Sequence, residues 1–306
     1  MTLSNRKILR TLLCLLAGTL YAVCLSACDA KEPLSENRDA EIESPVIAND
    51  LSNQKVTAIA EDTQGHIWIG TFRGLNKNNV HDYHQYFCTD DSLGLPDNQI
   101  THLLRDSKNR FWVGTVNGVC LYTDKDNFRI IPIEADNKNV RQILEDRNGR
   151  IFLNTGFQLY AYHPREEKIT CVLPEISPEN AFYAQCHIAP DNNLWVMTST
   201  GLRCYDPSTL QLKESVALNG YPYYSYLHNN ELWITGNHTL SIFDTRTRSF
   251  KPLPQPIAQN TTLCNADIDY IHPYGNNGLL LNTARHGMFY YNPGTGSVTR
   301  QDENGF

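Results

Sequence analysis

The side chains able to do chemistry are scattered through the 306 residues and do not converge on a catalytic spacing. Ten histidines are present, and His81 and His84 lie three apart on a segment that reads as a strand. Strand side chains three apart point to opposite faces, so this pair does not share a metal. No HExxH, GxSxG, Walker loop or GxGxxG occurs. Paired acids recur as Glu61-Asp62 and Glu145-Asp146, each beside a turn. Acids repeated at turns accept hydrogen bonds from turn N–H groups, which reads as turn chemistry rather than acid–base catalysis. No enzyme activity, metal or cofactor is expected from this set.

Nine cysteines are present. Cys14, Cys24 and Cys28 belong to an N-terminal apolar run. Cys88, Cys120, Cys171, Cys186, Cys204 and Cys264 are spread along the rest without a CxxC pair. Outside the cytoplasm some could pair, and spacing does not say which. Cys120 and Cys204 sit in apolar strand patterns and read as small buried hydrophobes. The net charge of −7, with no basic stripe, makes nucleic acid a poor partner. Hydrophobic residues at 41% support a packed core, and charged residues at 19% argue against wholesale disorder.

The elements that must position any site begin with an export signal. Arg6, Lys7 and Arg10 precede an apolar run from Thr11 to Ala27. It ends in Leu25-Ser26-Ala27-Cys28, similar to a lipobox in which Cys28 would be lipid-modified. A cleaved signal with an incidental Cys28 and a short uncleaved membrane anchor are the other two readings. All three place the remainder in the periplasm or cell envelope, held at the membrane or as a lipoprotein in two of them. Residues 1–28 are thus signal or anchor, 29–45 an acidic, polar tether, and 46–306 the folded domain.

That domain repeats itself. Val56-to-Asp62, a turn at Gly65, Ile67-Trp-Ile-Gly-Thr71 and Gly74-Leu75 return as Ile100-to-Asp106, Phe111-Trp-Val-Gly-Thr115 and Gly118-Val119. Weaker copies follow, anchored at Phe152, Trp195, Trp233 and Leu280, so that successive anchors from Trp68 and Trp112 onward lie 44, 40, 43, 38 and 47 residues apart. A period of this length with four short strands per unit predicts an all-β propeller. We expect six four-stranded blades, near 53–97, 98–138, 139–180, 181–221, 222–261 and 262–306, or seven if a composite blade closes the ring. Strand two is a continuous apolar run and wants burial on both faces. Gly70 and Gly114 would let a neighbouring backbone approach. The polar fourth strand, around His81-to-Phe87, suits an outer edge. A strand at Pro45-to-Ala48 is expected to close the ring by pairing with the last blade.

These repeats resemble the two-component regulator propeller repeat. Asp62-to-Thr71, Asp106-to-Thr115 and the linker Leu95-Pro96-Asp97-Asn98 match its pattern closely. The later repeats depart from it, with Asn154, Met197 or Asn282 in place of glycine and Phe152 or Leu280 in place of tryptophan. The resemblance spans about residues 51–300. It implies the periplasmic sensor region of a hybrid two-component histidine kinase, reading carbohydrate, typically an oligosaccharide. It also implies a homodimer by analogy alone. No kinase or receiver motif is present, and the end of the sequence looks like a linker to another blade, which suggests a severed sensor. A lipoprotein scaffold that binds other proteins, or a propeller lyase or hydrolase, are the alternatives.

Propellers bind ligands on the loops between strands two and three and between blades. The candidates on that basis are Phe72, Arg73, Asn117, Phe157, Arg203, His238, Arg285 and His286. Aromatic rings there would stack on sugar faces, and Arg or Asn would bond hydroxyls. Tyr221, Tyr223, Tyr224 and Tyr226 form a dense aromatic patch that reads as core packing.

Overall fold

The computed structural model describes residues 46–301 apart from 80, 90–93, 124–125, 177–183, 219 and 276. The signal run, Cys28 and the tether at 29–45 lie outside the described residues.

The chain forms six blades of a β-propeller, each with four antiparallel strands added in chain order. Blade 1 holds β2 (Val56–Glu61), β3 (Ile67–Thr71), β4 (Gly74–Asn79) and β5 (Asp82–Tyr86), with β1 (Val46–Ala48) beside β5. Blade 2 holds β6 (Ile100–Arg105), β7 (Phe111–Thr115), β8 (Gly118–Tyr122) and β9 (Phe128–Ile131). Blade 3 holds β10 (Gln142–Glu145), β11 (Ile151–Asn154), β12 (Leu159–His163) and β13 (Lys168–Leu173). Blade 4 holds β14 (Gln185–Ile188), β15 (Leu194–Thr198), β16 (Gly201–Tyr205) and β17 (Leu212–Ala217). Blade 5 holds β18 (Pro222–His228), β19 (Glu231–Gly236), β20 (Thr239–Asp244) and β21 (Ser249–Lys251). Blade 6 holds β22 (Ile268–Tyr274), β23 (Gly278–Thr283), β24 (Gly287–Asn292) and β25 (Ser297–Gln301). The linker between blades 5 and 6 carries one turn of α-helix, α1 (Gln255–Ala258), and a 3-10 turn at Leu263–Asn265.

The first strands β2, β6, β10, β14, β18 and β22 contact one another in succession and so line the axis. In blades 1 to 5 the central side chain of strand two is buried against the next blade, as its apolar run demands: Trp68, Trp112, Phe152, Trp195 and Trp233 are 0–1% exposed. Five apolar clusters join blade to blade in order. The linkers take part in them, through Leu95 before blade 2, Ile176 before blade 4 and Ile257 before blade 6. Each fully buried side chain of this size contributes roughly 1.5–3 kcal/mol through burial.

The repeated aspartate ties turn to core. Asp62 Oδ1 accepts the backbone N–H groups of Gln64 and His66, and its Oδ2 accepts the Trp68 indole N–H at 2.9 Å. Asp106 does the same for Lys108, Arg110 and Trp112. Aspartate six residues ahead of tryptophan therefore fixes both the hairpin and the ring orientation. In blade 4 Ala189 stands at that place, and in blade 5 the shorter turn removes it; the Trp195 and Trp233 indole nitrogens are buried without a hydrogen-bond partner.

Two expectations change. β1 does not join the last blade: it runs antiparallel to β5 of blade 1, with Val46 opposite Gln85 and Ala48 opposite Tyr83. The fourth strand of blade 1 is therefore not an edge. The glycines of strand two admit a side chain rather than a backbone: a Cβ on Gly70 would lie 2.6 Å from Ile100 Cγ2, and one on Gly114 would lie 3.0 Å from Val140 Cγ1. The next blade's first aliphatic residue occupies that notch. Cys120 and Cys204 are buried, as their apolar strand patterns predict, and so is Cys186, while Cys88, Cys171 and Cys264 are exposed.

Candidate functional site

The turn from strand two to strand three is built the same way in four blades. Thr71 Oγ1 donates to Gly74 O at 2.8 Å and accepts the Arg73 N–H at 3.1 Å. Thr115 repeats this with Gly118 and Asn117, Thr198 with Gly201 and Thr200, and Thr283 with Gly287 and His286. The glycine that opens strand three takes a left-handed conformation, φ 112° at Gly74 and 134° at Gly118. The Gly-Thr and Gly-apolar signatures thus have one local purpose, to hold a two- or three-residue loop against its blade. Thr115→Val keeps the shape and removes the hydroxyl. It is expected to cost about 1–2 kcal/mol, read as a shift in urea midpoint; an unchanged midpoint would mean the hydroxyl does not hold the loop.

Because the strands are equivalent, these loops share one end of the ring. Phe72, Arg73, Asn117, His238, Arg285 and His286 are exposed there, and Phe157 is half-buried. Phe72 has one ring face taken: Lys55 Nζ lies 4.4 Å from its centroid. His238 is held by its backbone N–H to Asp267 Oδ1 at 2.9 Å and by Nδ1 at 3.2 Å from the Asn265 carbonyl. Arg203 is not on this loop. It lies inside β16 opposite Val196 and Ser215, because the turn of blade 4 is Ser199-Thr200.

The first strands supply what these loops lack, a concave aromatic and polar cluster. Gln185, Tyr223, Tyr224, Asp269 and Tyr270 line a cavity of about 330 Å³ formed by β14, β18 and β22. Tyr223 and Asp269 are β-bulge residues: the register skips from Pro222 to Tyr224 and from Ile268 to Tyr270. Thr57 and Thr101 occupy the same skipped place in blades 1 and 2. A bulge leaves its residue without a cross-strand partner and re-aims it. The Tyr224 and Tyr270 rings meet edge-on at 5.3 Å. Gln185 Oε1 accepts the N–H of Ser225 at 2.6 Å and its hydroxyl at 3.0 Å, so its amide nitrogen is the group left to donate. His187 Nε2 lies 2.8 Å from the same Ser225 hydroxyl.

Electrostatics follow from this packing. Burial, with Asp267 and Asp269 nearby, raises the Tyr223 phenol. Burial, helped by Tyr226 and Tyr270, pushes Tyr224 up to about 12. Burial pushes His187 down to about 4. Among the described residues no cationic side chain lines the cavity. It offers rings, one carboxylate and one amide, which suits a neutral molecule with hydroxyls and an apolar face. Among the described residues no three His, Cys, Asp or Glu side chains gather into a metal site.

Tyr223 and Tyr224 stood in the aromatic patch read as core, and Gln185, Asp269 and Tyr270 carried no sequence signal of their own. Position in the repeat, one residue after the first aliphatic of strand one, was the available cue for Tyr223 and Asp269.

Residues 50–73 and 94–117 match the two component regulator propeller family. No curated protein matches the sequence. Among solved structures, a domain described as the extracellular domain of the hybrid two component system BT3049 from B. thetaiotaomicron is similar, with TM-score 0.66 and 19% identity over 85% of this chain. The chain spans 37% of that chain's length. Virginiamycin B lyase from Staphylococcus aureus is similar with TM-score 0.63 and 16% identity, over 85% of this chain and 88% of the lyase. At such identities the likeness establishes the fold. The chain is a six-bladed β-propeller in which the two segments 50–73 and 94–117 match the two component regulator propeller family.

Proposed function

We propose that this propeller is the ligand-reading part of a two-component signalling system, working outside the cytoplasm, and that it binds a neutral oligosaccharide at the first strands of blades 4, 5 and 6. The observation that carries the ligand class is the cavity of Tyr223, Tyr224, Tyr270, Asp269 and Gln185. Rings take the apolar face of a sugar, and Asp269 and Gln185 bond its hydroxyls. The repeat match supports the signalling role, and the export signal at Arg6-to-Ala27 supports the location. A kinase would be supplied by another segment or another protein. Phe72, Arg73, Asn117 and His286 then form an outer rim on the loop end rather than the primary contact.

Isothermal titration against a panel of neutral oligosaccharides tests this. One member is expected to release heat, and Asp269→Asn or Tyr270→Ala is expected to weaken it by about tenfold or more, since a hydrogen bond to a charged group contributes roughly 1.5–3 kcal/mol. A folded sample that gives no heat with any sugar, or equal affinity in both variants, removes the proposal. The lyase reading has one observation behind it, the shared fold, and a fold does not carry chemistry by itself.

A further inference from the structure

At the end of the blades opposite the Thr71-type loops, two joints between blades carry the same pair of rings with different partners. At the joint of blades 1 and 2 the Trp68 ring meets Tyr122 edge-on at 4.7 Å. Both polar atoms of this pair are answered. The indole N–H donates to Asp62 Oδ2 at 2.9 Å, and the Tyr122 hydroxyl donates to Asp126 Oδ1 at 2.9 Å. Trp233 and Tyr291 form the same pair at the joint of blades 5 and 6, with centroids 5.9 Å apart. Here neither acid is present. The hairpin of blade 5 is too short to carry the first. Gly296, two residues before the register partner of Tyr291, stands where Asp126 stands two before that of Tyr122. The backbones agree, with φ 62° at Gly296 and 60° at Asp126. Trp233 Nε1 is buried without a partner. Tyr291 is 8% exposed, and its hydroxyl makes no hydrogen bond among the described residues.

These two donors line a cavity of about 470 Å³. Ile242, Leu253, Leu279 and Pro293 give it an apolar wall. Arg246 and Lys251 bring positive charge to it, and Glu231 and Asp244 negative charge. The two acids are already engaged. Lys251 Nζ lies 2.6 Å from Glu231 Oε1 and 4.0 Å from Asp244 Oδ2, and Asp244 Oδ1 accepts the N–H groups of Arg246 and Thr247. The Arg246 guanidinium is in no ion pair among the described residues. His228 Nε2 lies 2.9 Å from Asn277 Oδ1 and joins the hairpins of the two blades. Burial, with Glu231 nearby, raises the Tyr291 phenol, so its hydroxyl stays a donor. We propose that this cavity binds the carboxylate of a small molecule with an apolar body. The carboxylate takes the part that Asp62 and Asp126 play at the first joint, accepting the Tyr291 hydroxyl and the Trp233 indole N–H beside Arg246. The apolar body lies against Leu253 and Pro293. The site shares no residue with the sugar cavity.

Phenylacetate, titrated into the isotope-labelled chain and followed by nuclear magnetic resonance, tests this. The Trp233 indole N–H signal, identified by its loss in Trp233→Phe, should shift saturably. Phenylacetamide and phenethylamine keep the ring without the negative charge and should bind about tenfold more weakly or worse. Tyr291→Phe should weaken phenylacetate about tenfold while the urea midpoint holds, since that hydroxyl has no partner to lose. Gly296→Asp returns an acid to the place of Asp126, at a backbone angle that Asp126 itself adopts and with no atom within 4 Å of the new Cβ. It should raise the urea midpoint and weaken phenylacetate by a similar factor. An indole signal that does not move would overturn the proposal. So would equal affinity for the three probes, stronger binding of the amine, or parental affinity in Tyr291→Phe and Gly296→Asp. None of these variants touches the sugar cavity, so such a failure is distinct from a failure of sugar binding.

Discussion

Replacing Trp112 with alanine is expected to cost about 4 kcal/mol of stability, read as a drop in the urea unfolding midpoint. The side chain is 0% exposed and lies in the cluster between blades 2 and 3. Its ring meets Tyr162 edge-on at 4.9 Å, and the Arg110 guanidinium lies 5.2 Å from its centroid. Its indole N–H donates to Asp106 Oδ2 at 2.8 Å. Alanine therefore leaves a void between two sheets and takes a donor from a carboxylate that is 3% exposed. The equivalent change in blade 6, Leu280→Ala, should cost about 1 kcal/mol or less, because that face is open. Comparable losses at the two positions would contradict the exposure pattern. Phenylalanine at 112 isolates the hydrogen bond and should cost about 1–2 kcal/mol. The same swap at Trp195 or Trp233 should be nearly neutral, since those indoles have no acceptor to lose.

Between pH 6.5 and pH 4 the propeller is expected to lose about 4 kcal/mol of stability through two first-strand histidines. Burial pushes His102 down to about 4, opposed by the hydrogen bond its ring donates to the Ile143 backbone, and burial alone pushes His187 down to about 4. The unfolded chain takes up protons at both once the pH falls below 6.5, and the native state does not until about 4. Stability is therefore fully present above pH 6.5 and falls across that window. Both rings keep part of their surface open, which reduces the effect from the full shift to about 2 kcal/mol each. His187→Gln should remove about half of the slope in melting temperature against pH; a slope unchanged in that variant assigns the acid sensitivity elsewhere. Asp62 adds a further loss at lower pH. Its burial raises its pKa, but the hydrogen bonds from Trp68, His66 and Gln64 together outweigh this and hold it below the ordinary 3.8. Its contribution is present above 3.8 and disappears as the pH falls through the depressed value.

The first two blades were legible because one residue pair announces each of them. Asp62 with Trp68, and Asp106 with Trp112, mark a hairpin and the sheet face it serves, and the spacing carries the pattern even where Phe152 or Leu280 replaces tryptophan. The partner of β1 was not legible. Three residues, Val46–Ala48, fit any open edge, and only the tertiary arrangement selects β5. The loop positions of Phe72, Asn117 and His286 followed from the Gly-Thr signature. Arg203 was misplaced because blade 4 turns at Ser199-Thr200, so that Gly201 already belongs to β16. The cavity was hidden for another reason. Gln185, Tyr224 and Tyr270 lie on three different first strands about 40 residues apart, and nothing local in sequence says they meet. Asp269 and Tyr223 project there through bulges, which period-two patterning counts as errors in a strand rather than as features.

The short ladder between β1 and β5 has a mechanical meaning. Any load applied through the chain ahead of Val46 reaches the pairs Val46–Gln85, Ile47–His84 and Ala48–Tyr83 before it reaches the sheets. Behind them stand two more catches, Gln85 Nε2 to the Asp50 carbonyl at 2.7 Å and Asn76 Oδ1 to the Ser52 N–H at 2.8 Å. Tension at the N-terminus is thus met by a sequence of weak links on the outer rim and the face of blade 1. They give way one at a time, as a seam tears stitch by stitch, while the blades behind them keep their shape.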